Sequence, residues 1–179
     1  MALPRSVALT FEDMEALPDD GHRYELIHGS LLVTPAPTGP HEVATVALLS
    51  VLRAARPPGL SVLTAPIDLR QPPGTWLQPD LVVVTAEQAL GPYLTEPPVL
   101  VVEILSESTR AQDLGSKRLT YAEVGVADYW VVDLEEPRVA FLALEGDAYA
   151  DAGAAVGPEP VAVERPYPVT ITASDLLVP

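Results

Sequence analysis

Two short apolar runs, at residues 81–84 and 99–102, constrain the fold of this chain more than any other part of the sequence. Each run holds four aliphatic residues without polar alternation, which is typical of a strand buried on both faces of a sheet. A sheet with such central strands needs helices packed against it. The sequence therefore predicts an α/β chain of the mixed α+β kind, with a mixed β-sheet flanked by helices.

A carboxylate marks one end of each run. Asp80 precedes the first run and Glu103 follows the second, 23 positions later. That interval accommodates a strand, a proline-rich loop and a returning strand, which would bring the two acids side by side. Ionised carboxylates are costly to bury unless they are paired, hydrogen-bonded or bound to a cation. We therefore predict that Asp80 and Glu103 share a divalent metal ion.

A lysine on the next predicted helix extends the candidate site. The pattern predicts this helix over residues 113–125, with an aspartate suited to the N-cap and a glycine at the C-terminal end. Lys117 falls on the same predicted apolar stripe as Leu114 and Tyr121. Such a lysine either acts in the site or extends past the core to water, and its spacing leaves both alternatives open.

Several segments together resemble a known family. They are residues 78–84, 102–109, 113–117 and 128–133, preceded by residues 23–29 and 40–42. In this order and spacing they resemble the Uma family of restriction-endonuclease-like proteins, a branch of the PD-(D/E)XK nuclease superfamily. The resemblance covers about residues 10–145. It implies a restriction-endonuclease-like core and hydrolysis of phosphodiester bonds in nucleic acid, with DNA favoured, assisted by Mg²⁺ or Mn²⁺.

One position departs from the superfamily pattern. The pattern has a lysine two residues after the second acid, where this sequence has Leu105. In this family the lysine has moved to the following helix, so the resemblance assigns its role to Lys117. The implied catalytic set is Asp80, Glu103 and Lys117, and the backbone carbonyl of Ile104 is the implied third metal ligand.

Three further residues are secondary candidates. Glu25, in a predicted strand, is marked by the resemblance, and the alternative is an exposed strand glutamate. Gln78 would lie beside the metal. His41, in the first turn of a predicted helix, would meet phosphate or a metal-bound water, or would serve only as a local hydrogen-bonding group. Asp68 alternates with apolar neighbours in a predicted hairpin, so we expect it to face solvent outside the site.

The remaining pattern predicts one domain over residues 1–179, beginning with an N-terminal helix and a β-hairpin. A chain of 179 residues, 48% of them hydrophobic, is long enough for one sizeable core. Helices are predicted at residues 11–17, 41–53, 113–125 and 173–177, and further strands at 24–27, 31–33, 60–63, 66–70, 75–77, 129–132, 138–144 and 167–171. Residues 145–168 turn to glycine, alanine, proline and acids, and no other element is predicted there.

The net charge argues against a nucleic-acid substrate. The sequence has 10 basic and 25 acidic residues, which gives −15 at pH 7. A negative field opposes binding to nucleic acid, whose affinity usually comes from phosphate neutralisation. Three functions therefore remain open: a metal-dependent nuclease, a catalytically degenerate nuclease-fold module for binding or assembly, and a small-molecule enzyme with an acidic metal site.

Composition also bounds the cofactor, the location and the assembly. With no cysteine and three histidines, a zinc site is disfavoured, and Mg²⁺ or Mn²⁺ is the expected cofactor. No apolar run approaches about 20 residues, so no membrane span is predicted. Residues 1–5 lack the apolar region of a signal peptide, which predicts a cytoplasmic location. Tyr129, Trp130 and Phe141 are expected to add aromatic surface, and cleavage of two strands favours two-fold symmetry, so we predict a homodimer.

Overall fold

The computed structural model describes residues 8–178, so residues 1–5, on which the cytoplasmic prediction rests, lie outside the described residues. The helices are α1 (Phe11–Glu15), α2 (Gly39–Ala55), α3 (Arg110–Gln112) and α4 (Arg118–Val124), with a π-helical turn at Asp113–Lys117 and 3₁₀ turns at Gln88–Leu90 and Ala173–Leu177. The strands are β1 (Arg23–Ile27), β2 (Ser30–Thr34), β3 (Leu60–Thr64), β4 (Leu69–Gln71), β5 (Thr75–Leu77), β6 (Leu81–Thr85), β7 (Leu100–Ile104), β8 (Asp128–Asp133), β9 (Arg138–Glu145), β10 (Ala148–Val156), β11 (Val161–Val163) and β12 (Val169–Ile171).

A six-stranded sheet carries the two apolar runs at its centre. Its strand order is β10-β9-β8-β7-β6-β3, with β7 and β8 parallel and the other neighbours antiparallel. Residues 81–84 and the whole of β7 are buried. The predicted central strands and the mixed α+β fold class are therefore confirmed.

Each face of this sheet is covered by a different layer. On one face, apolar side chains of β6 and β7 pack against α2, β12 and the last 3₁₀ turn, with Leu48 and Leu52 in the contact. On the other face they pack against α4 and the second sheet, with Tyr121 and Leu77 in the contact. Because both faces are covered, the two central strands have no side that favours polar residues.

The predicted hairpin lies at one edge of a four-stranded sheet of order β2-β1-β5-β4. His28 and Gly29 join β1 to β2 in a two-residue turn, with φ angles of 49° and 78°. A Cβ atom on Gly29 would lie 2.6 Å from the Cβ atom of Ala8, so both the left-handed backbone and the available space require glycine. The turn thereby fixes the register of β1, which supplies two residues to the candidate site.

Residues 145–168 form structure that the sequence pattern did not predict. β10 pairs with β9 along one edge of the six-stranded sheet, with an irregularity between Asp151 and Gly153. Alanine, glycine and aspartate are weak strand formers, so pairing with β9 rather than intrinsic propensity determines this strand. The predicted last strand forms as β12, but it pairs with β11 in a separate two-stranded sheet.

The three aromatic residues expected at the surface lie in the core. Tyr129, Trp130 and Phe141 are at most 3% exposed, because both faces of β8 and β9 are covered. The sequence placed Tyr129 and Trp130 in the core or at an interface, and the core alternative is confirmed. The expected surplus of aromatic surface is wrong, and the homodimer stays a prediction without that support. Across residues 8–178, no helix is both long enough and apolar enough to cross a membrane.

Two glycine positions test the hairpin turn. Gly29→Ala should lower the free energy of unfolding more than Gly21→Ala, when both are measured by urea denaturation. Both residues have a left-handed φ, which costs an L-residue about 1–2 kcal/mol. Only at Gly29 does the added methyl also meet another atom, Ala8 Cβ, at an impossible distance. Equal losses in the two variants would show that the close approach to Ala8 does not constrain the turn.

Candidate active site

The strand register places the two predicted metal-binding acids side by side. β6 and β7 are antiparallel, with Leu81 opposite Val102. Extending that register by one residue places Asp80 opposite Glu103, and directly opposed residues of an antiparallel pair point to the same face. Asp80 is 3% exposed and Glu103 is 1% exposed. Burial of two adjacent carboxylates at one end of the central strands demands compensating partners.

Asp80 is compensated by an arginine, a histidine and a backbone amide. Its Oδ1 atom lies 2.8 Å from Arg23 Nη1, and its Oδ2 atom lies 3.0 Å from His41 Nε2. The Ile104 N–H donates to Oδ2 at 2.8 Å. Burial alone would raise the pKa of Asp80, but the hydrogen bond and charge of His41, together with the charge of Arg23, hold this pKa below its ordinary value. Asp80 therefore stays ionised.

Ile104 contributes to the site through its main chain. Along an extended strand, the N–H and C=O groups of one residue point to the same side. Since the Ile104 N–H points at Asp80, the Ile104 carbonyl faces the side on which Asp80 lies. The predicted carbonyl ligand therefore has a suitable direction.

Lys117 lies among three carboxylates. Its Nζ atom is 3.0 Å from Glu25 Oε2, 3.1 Å from Glu103 Oε1 and 3.5 Å from Asp113 Oδ1. The lysine is 1% exposed, so it does not extend to water. Burial alone would lower the pKa of Lys117, but the three carboxylates raise it above its ordinary value. This charged residue is also the single lysine of the sequence.

A π-helical turn gives Lys117 its direction. The helix predicted to begin at residue 113 begins at Arg110, and Asp113–Lys117 forms the π turn. The wider turn displaces its residues from α-helical positions, which points Asp113 and Lys117 inward. Leu114 is 46% exposed, so the predicted stripe that included it is wrong. The Tyr129 hydroxyl donates to the Asp113 carbonyl at 2.8 Å, which holds the turn in place.

Glu103 accepts two hydrogen bonds through one oxygen. Oε1 receives the Tyr121 hydroxyl at 2.6 Å and Lys117 Nζ at 3.1 Å. Burial raises the pKa of Glu103 well above its ordinary value, and the charges of Asp80 and Asp113 raise it further, with Lys117 acting in the opposite direction. Burial likewise raises the pKa of Asp113. The site therefore holds more carboxylates than its own cations neutralise.

Glu25 and Gln78 join the site to the four-stranded sheet. Glu25 is fully buried, so the alternative of an exposed strand glutamate is wrong. Its Oε1 atom accepts the Gln78 main-chain N–H at 2.8 Å. The Gln78 side chain in turn donates to Asp68 Oδ1 at 3.3 Å. Asp68 is only 19% exposed, so the prediction that it faces solvent is also wrong, because Gln78 and Arg70 both bind its carboxylate.

His41 lies at the first turn of α2, as expected, and is buried. Its Nε2 atom contacts Asp80. Its Nδ1 atom is buried without a hydrogen-bond partner among residues 8–178, and the nearest carboxylate, that of Glu42, is 4.0 Å away. His41 therefore serves Asp80 rather than merely its own helix end.

Sequence reasoning did not assign Arg23 and Asp113 to the site, and it placed Asp113 only at the predicted N-cap of the helix. Arg23 lies two residues before Glu25 on β1, so both side chains project from the same face of the strand. Asp113 lies four residues before Lys117, on the same side of the helix. These two spacings would have indicated Arg23 from Glu25, and Asp113 from Lys117. The buried cluster thus unites all the predicted residues with two additional ones: Arg23, Glu25, His41, Gln78, Asp80, Glu103, Ile104, Asp113 and Lys117.

The donor set suits a hard divalent cation. Four buried carboxylates surround two permanently charged cations, Arg23 and Lys117. Glu25 Oε2 and Asp113 Oδ1 lie near Lys117 but lack good hydrogen-bond geometry. Within residues 8–178 no three acidic or histidine side chains converge as a metal cage. Mg²⁺ does not need one, because it usually binds one or two carboxylates and keeps water or phosphate ligands.

Two cavities meet at Asp80. The smaller, about 60 Å³, is bordered by Glu103 and Lys117. The larger, about 270 Å³, extends on the other side. Five residues border both cavities: Arg23, Ala36, Pro37, His41 and Asp80. Asp80 and its partners Arg23 and His41 therefore lie at the border between the two cavities.

A comparison of the sequence with protein-family models gives a family match. Residues 11–175 match the model of Uma2, described as "Putative restriction endonuclease". The chain belongs to the Uma2 family. The match extends the Uma resemblance from about residue 145 to residue 175 and includes every residue of the buried cluster.

A solved structure has the same fold as this Uma2 chain. It is the crystal structure of a putative nuclease belonging to DUF820 from Anabaena variabilis ATCC 29413, with a TM-score of 0.76 and 17% sequence identity. The match covers 94% of this chain and 97% of that one. At this identity the likeness establishes a shared fold alone. A search of curated proteins gave no match.

The contacts of Lys117 with three carboxylates predict that its substitution destabilises this Uma2 protein. Lys117→Met should lower the free energy of unfolding by about 3–5 kcal/mol, because it leaves three buried carboxylates without their shared cation. The double variant Lys117→Met/Glu103→Gln should recover part of that loss, since one carboxylate is removed. Urea denaturation in EDTA measures both. A Lys117→Met protein as stable as wild type would show that the carboxylates do not need this ammonium.

The raised pKa of Glu103 predicts how the free energy of unfolding depends on pH. A carboxyl with a raised folded pKa keeps a proton that the unfolded chain releases, so the free energy of unfolding falls as pH rises above the ordinary value of 4.5. Glu103→Gln removes this penalty. Relative to wild type, the variant should therefore gain up to about 1.4 kcal/mol per pH unit from that value upward. Asp113 contributes the same trend to both proteins, and a pH-independent difference in EDTA would contradict the burial argument.

Proposed function

We propose that this Uma2 protein is a metal-dependent nuclease that hydrolyses phosphodiester bonds of nucleic acid, with DNA as the favoured substrate. One observation carries the proposal: Asp80 and Glu103 are buried side by side, next to a lysine enclosed by carboxylates. A cluster of buried groups with perturbed pKa values, bordering a cavity, favours a functional site over a purely structural one. Membership of a family described as "Putative restriction endonuclease" supports the same chemistry.

In this proposal Asp80, Glu103 and the Ile104 carbonyl hold Mg²⁺ or Mn²⁺. When bound, the ion supplies Lewis acidity toward a phosphate oxygen and lowers the pKa of a bound water. Arg23 and His41 keep Asp80 ionised and fix its orientation. These contacts prepare the carboxylate before a ligand arrives, which limits reorganisation during the reaction.

Lys117 supplies positive charge for the oxygens of the reacting phosphate. Glu25 and Asp113 hold its ammonium group beside Glu103, and the Tyr121 hydroxyl fixes the Glu103 carboxyl. A preorganised cation stabilises negative charge that develops on phosphate oxygens without moving during the reaction.

The surroundings of Leu105, the position of the lysine in the superfamily pattern, are unsuited to a charged side chain. It is buried in the cluster that also contains Tyr121 and Val101, so a charged group at this position would lie in the apolar core. Lys117, the last residue of the π turn, reaches Glu103 from the helical layer that covers this face of the sheet. The altered position of the lysine is therefore compatible with the proposed chemistry.

A second candidate is a nuclease-fold module that binds or assembles without catalysis. The net charge of −15 favours it, because this charge weakens attraction to polyanions. The completeness of the acidic and lysine set favours the enzyme. For either function we propose one domain over residues 1–179 and a cytoplasmic location. For the nuclease we also propose a homodimer, because cleavage of two strands favours two-fold symmetry.

Cleavage of nucleic acid tests the proposal. Wild type should nick supercoiled DNA or degrade single-stranded DNA with Mn²⁺ at low salt, where a −15 protein loses least affinity for polyanions. Asp80→Asn and Glu103→Gln should each reduce the rate by about 100-fold or more. Asp128→Asn is the matched control, because Asp128 is equally buried but pairs with Arg165 outside the site.

Metal binding gives the same experiment a second measurement. Mn²⁺ should raise the melting temperature of wild type and of Asp128→Asn, but not that of Asp80→Asn, since a ligand that binds only the folded chain stabilises it. Full activity in the Asp80 and Glu103 variants would exclude these residues from the mechanism. Absence of metal-dependent cleavage of any DNA or RNA by wild type would favour the binding module.

A further inference from the structure

We propose that Arg23 binds the phosphate group of the substrate. In this assignment its Nη1 atom stays on Asp80, while Nε and Nη2 form two parallel hydrogen bonds with one phosphate. The phosphate belongs to a nucleic-acid backbone only if the site acts on nucleic acid, as proposed above. The binding itself requires only the geometry of the guanidinium and the cavities that it borders.

The hydrogen bonds of Arg23 use one nitrogen and leave one edge free. Nη1 donates to Asp80 Oδ1 at 2.8 Å and to the Gln78 carbonyl at 3.2 Å. Nε and Nη2 make no hydrogen bond with any residue in the range 8–178. The side chain is 13% exposed and borders both cavities. The Nε and Nη2 edge is therefore the part of the guanidinium that remains available to a ligand.

The other nearby cations are already occupied. Lys117 is enclosed by carboxylates and has almost no exposed surface. Arg70 binds Asp68 and lies over the ring of Trp76, 3.4 Å from its centre. Neither Arg70 nor Arg110 borders the two cavities that meet at Asp80. Arg23 is therefore the cation with free donors at this position among the described residues.

Guanidinium chemistry matches this role. An arginine edge with two parallel N–H groups fits two oxygens of a phosphate, and such charge-assisted pairs are stronger than neutral hydrogen bonds. By lying between Asp80 and the phosphate, Arg23 also separates two like charges. In a chain with a net charge of −15, a fixed local cation is needed where an anion enters.

Cavity size indicates the direction of approach. The cavity beside Glu103 and Lys117 holds about 60 Å³, which is room for a few water molecules. The adjoining cavity holds about 270 Å³ and is bordered by the hydroxyl residues Thr45 and Thr64. A phosphate that carries a sugar therefore enters from the larger side and meets Arg23 before it reaches Lys117.

Arg23→Lys tests the assignment, because lysine keeps the charge beside Asp80 but loses the two-pronged edge. We would measure binding of inorganic phosphate and of a 5′-phosphorylated single-stranded DNA oligonucleotide by calorimetry in EDTA at low salt. Both affinities should fall roughly 10- to 100-fold, while the urea midpoint stays near that of wild type. Arg53→Lys, at the exposed end of α2, makes the same chemical change outside the site and should leave both affinities unchanged.

The outcomes separate this inference from the nuclease proposal. If the affinities fall in Arg23→Lys but wild type cleaves nothing, phosphate binding stands and the nuclease proposal fails. If wild type cleaves DNA and Arg23→Lys keeps the wild-type KM and both affinities, the nuclease proposal stands and the Arg23 assignment is overturned. Loss of affinity for inorganic phosphate alone would overturn the assignment to a nucleic-acid backbone, and an absence of phosphate binding by wild type would overturn it entirely.

Discussion

The ammonium group of Lys117 is the interaction on which the arrangement of the site depends. Three carboxylates point at it, two from strands β1 and β7 and one from the same π turn. Without the ammonium, their mutual repulsion and the cost of burial would drive these segments apart or keep the carboxyls protonated. The position of a single side chain is therefore coupled to the packing of the helix, the central sheet and the hairpin sheet.

Asp80, the second central carboxylate of the site, is compensated by a different set of partners. It is served by Arg23 from the hairpin sheet, His41 from α2 and the Ile104 amide of the neighbouring strand. Two groups of opposite tendency result: an aspartate that stays ionised and a glutamate that resists ionisation. Neighbouring acids whose surroundings shift their pKa values in opposite directions are typical of functional sites.

Local patterns made part of this structure predictable. The two apolar runs, their terminal acids and the hairpin glycine each follow from rules that operate within a few residues, and all were found where expected. The π turn was not predicted, because the pattern indicated a regular helix and the contacts of Lys117 with Glu25 and Glu103 lie on separate strands. β10 and the partly buried position of Asp68 likewise depend on pairing partners rather than on the pattern of their own residues.

Because the chain has one lysine and that lysine is buried, chemical modification of Lys117 would measure local unfolding of the site. Acylating reagents that modify ε-amines cannot reach Lys117 while the carboxylates enclose it, whereas local unfolding exposes it. The rate at which this single side chain gains mass would therefore follow fluctuations of the site. No other ε-amine in the chain would compete with the signal.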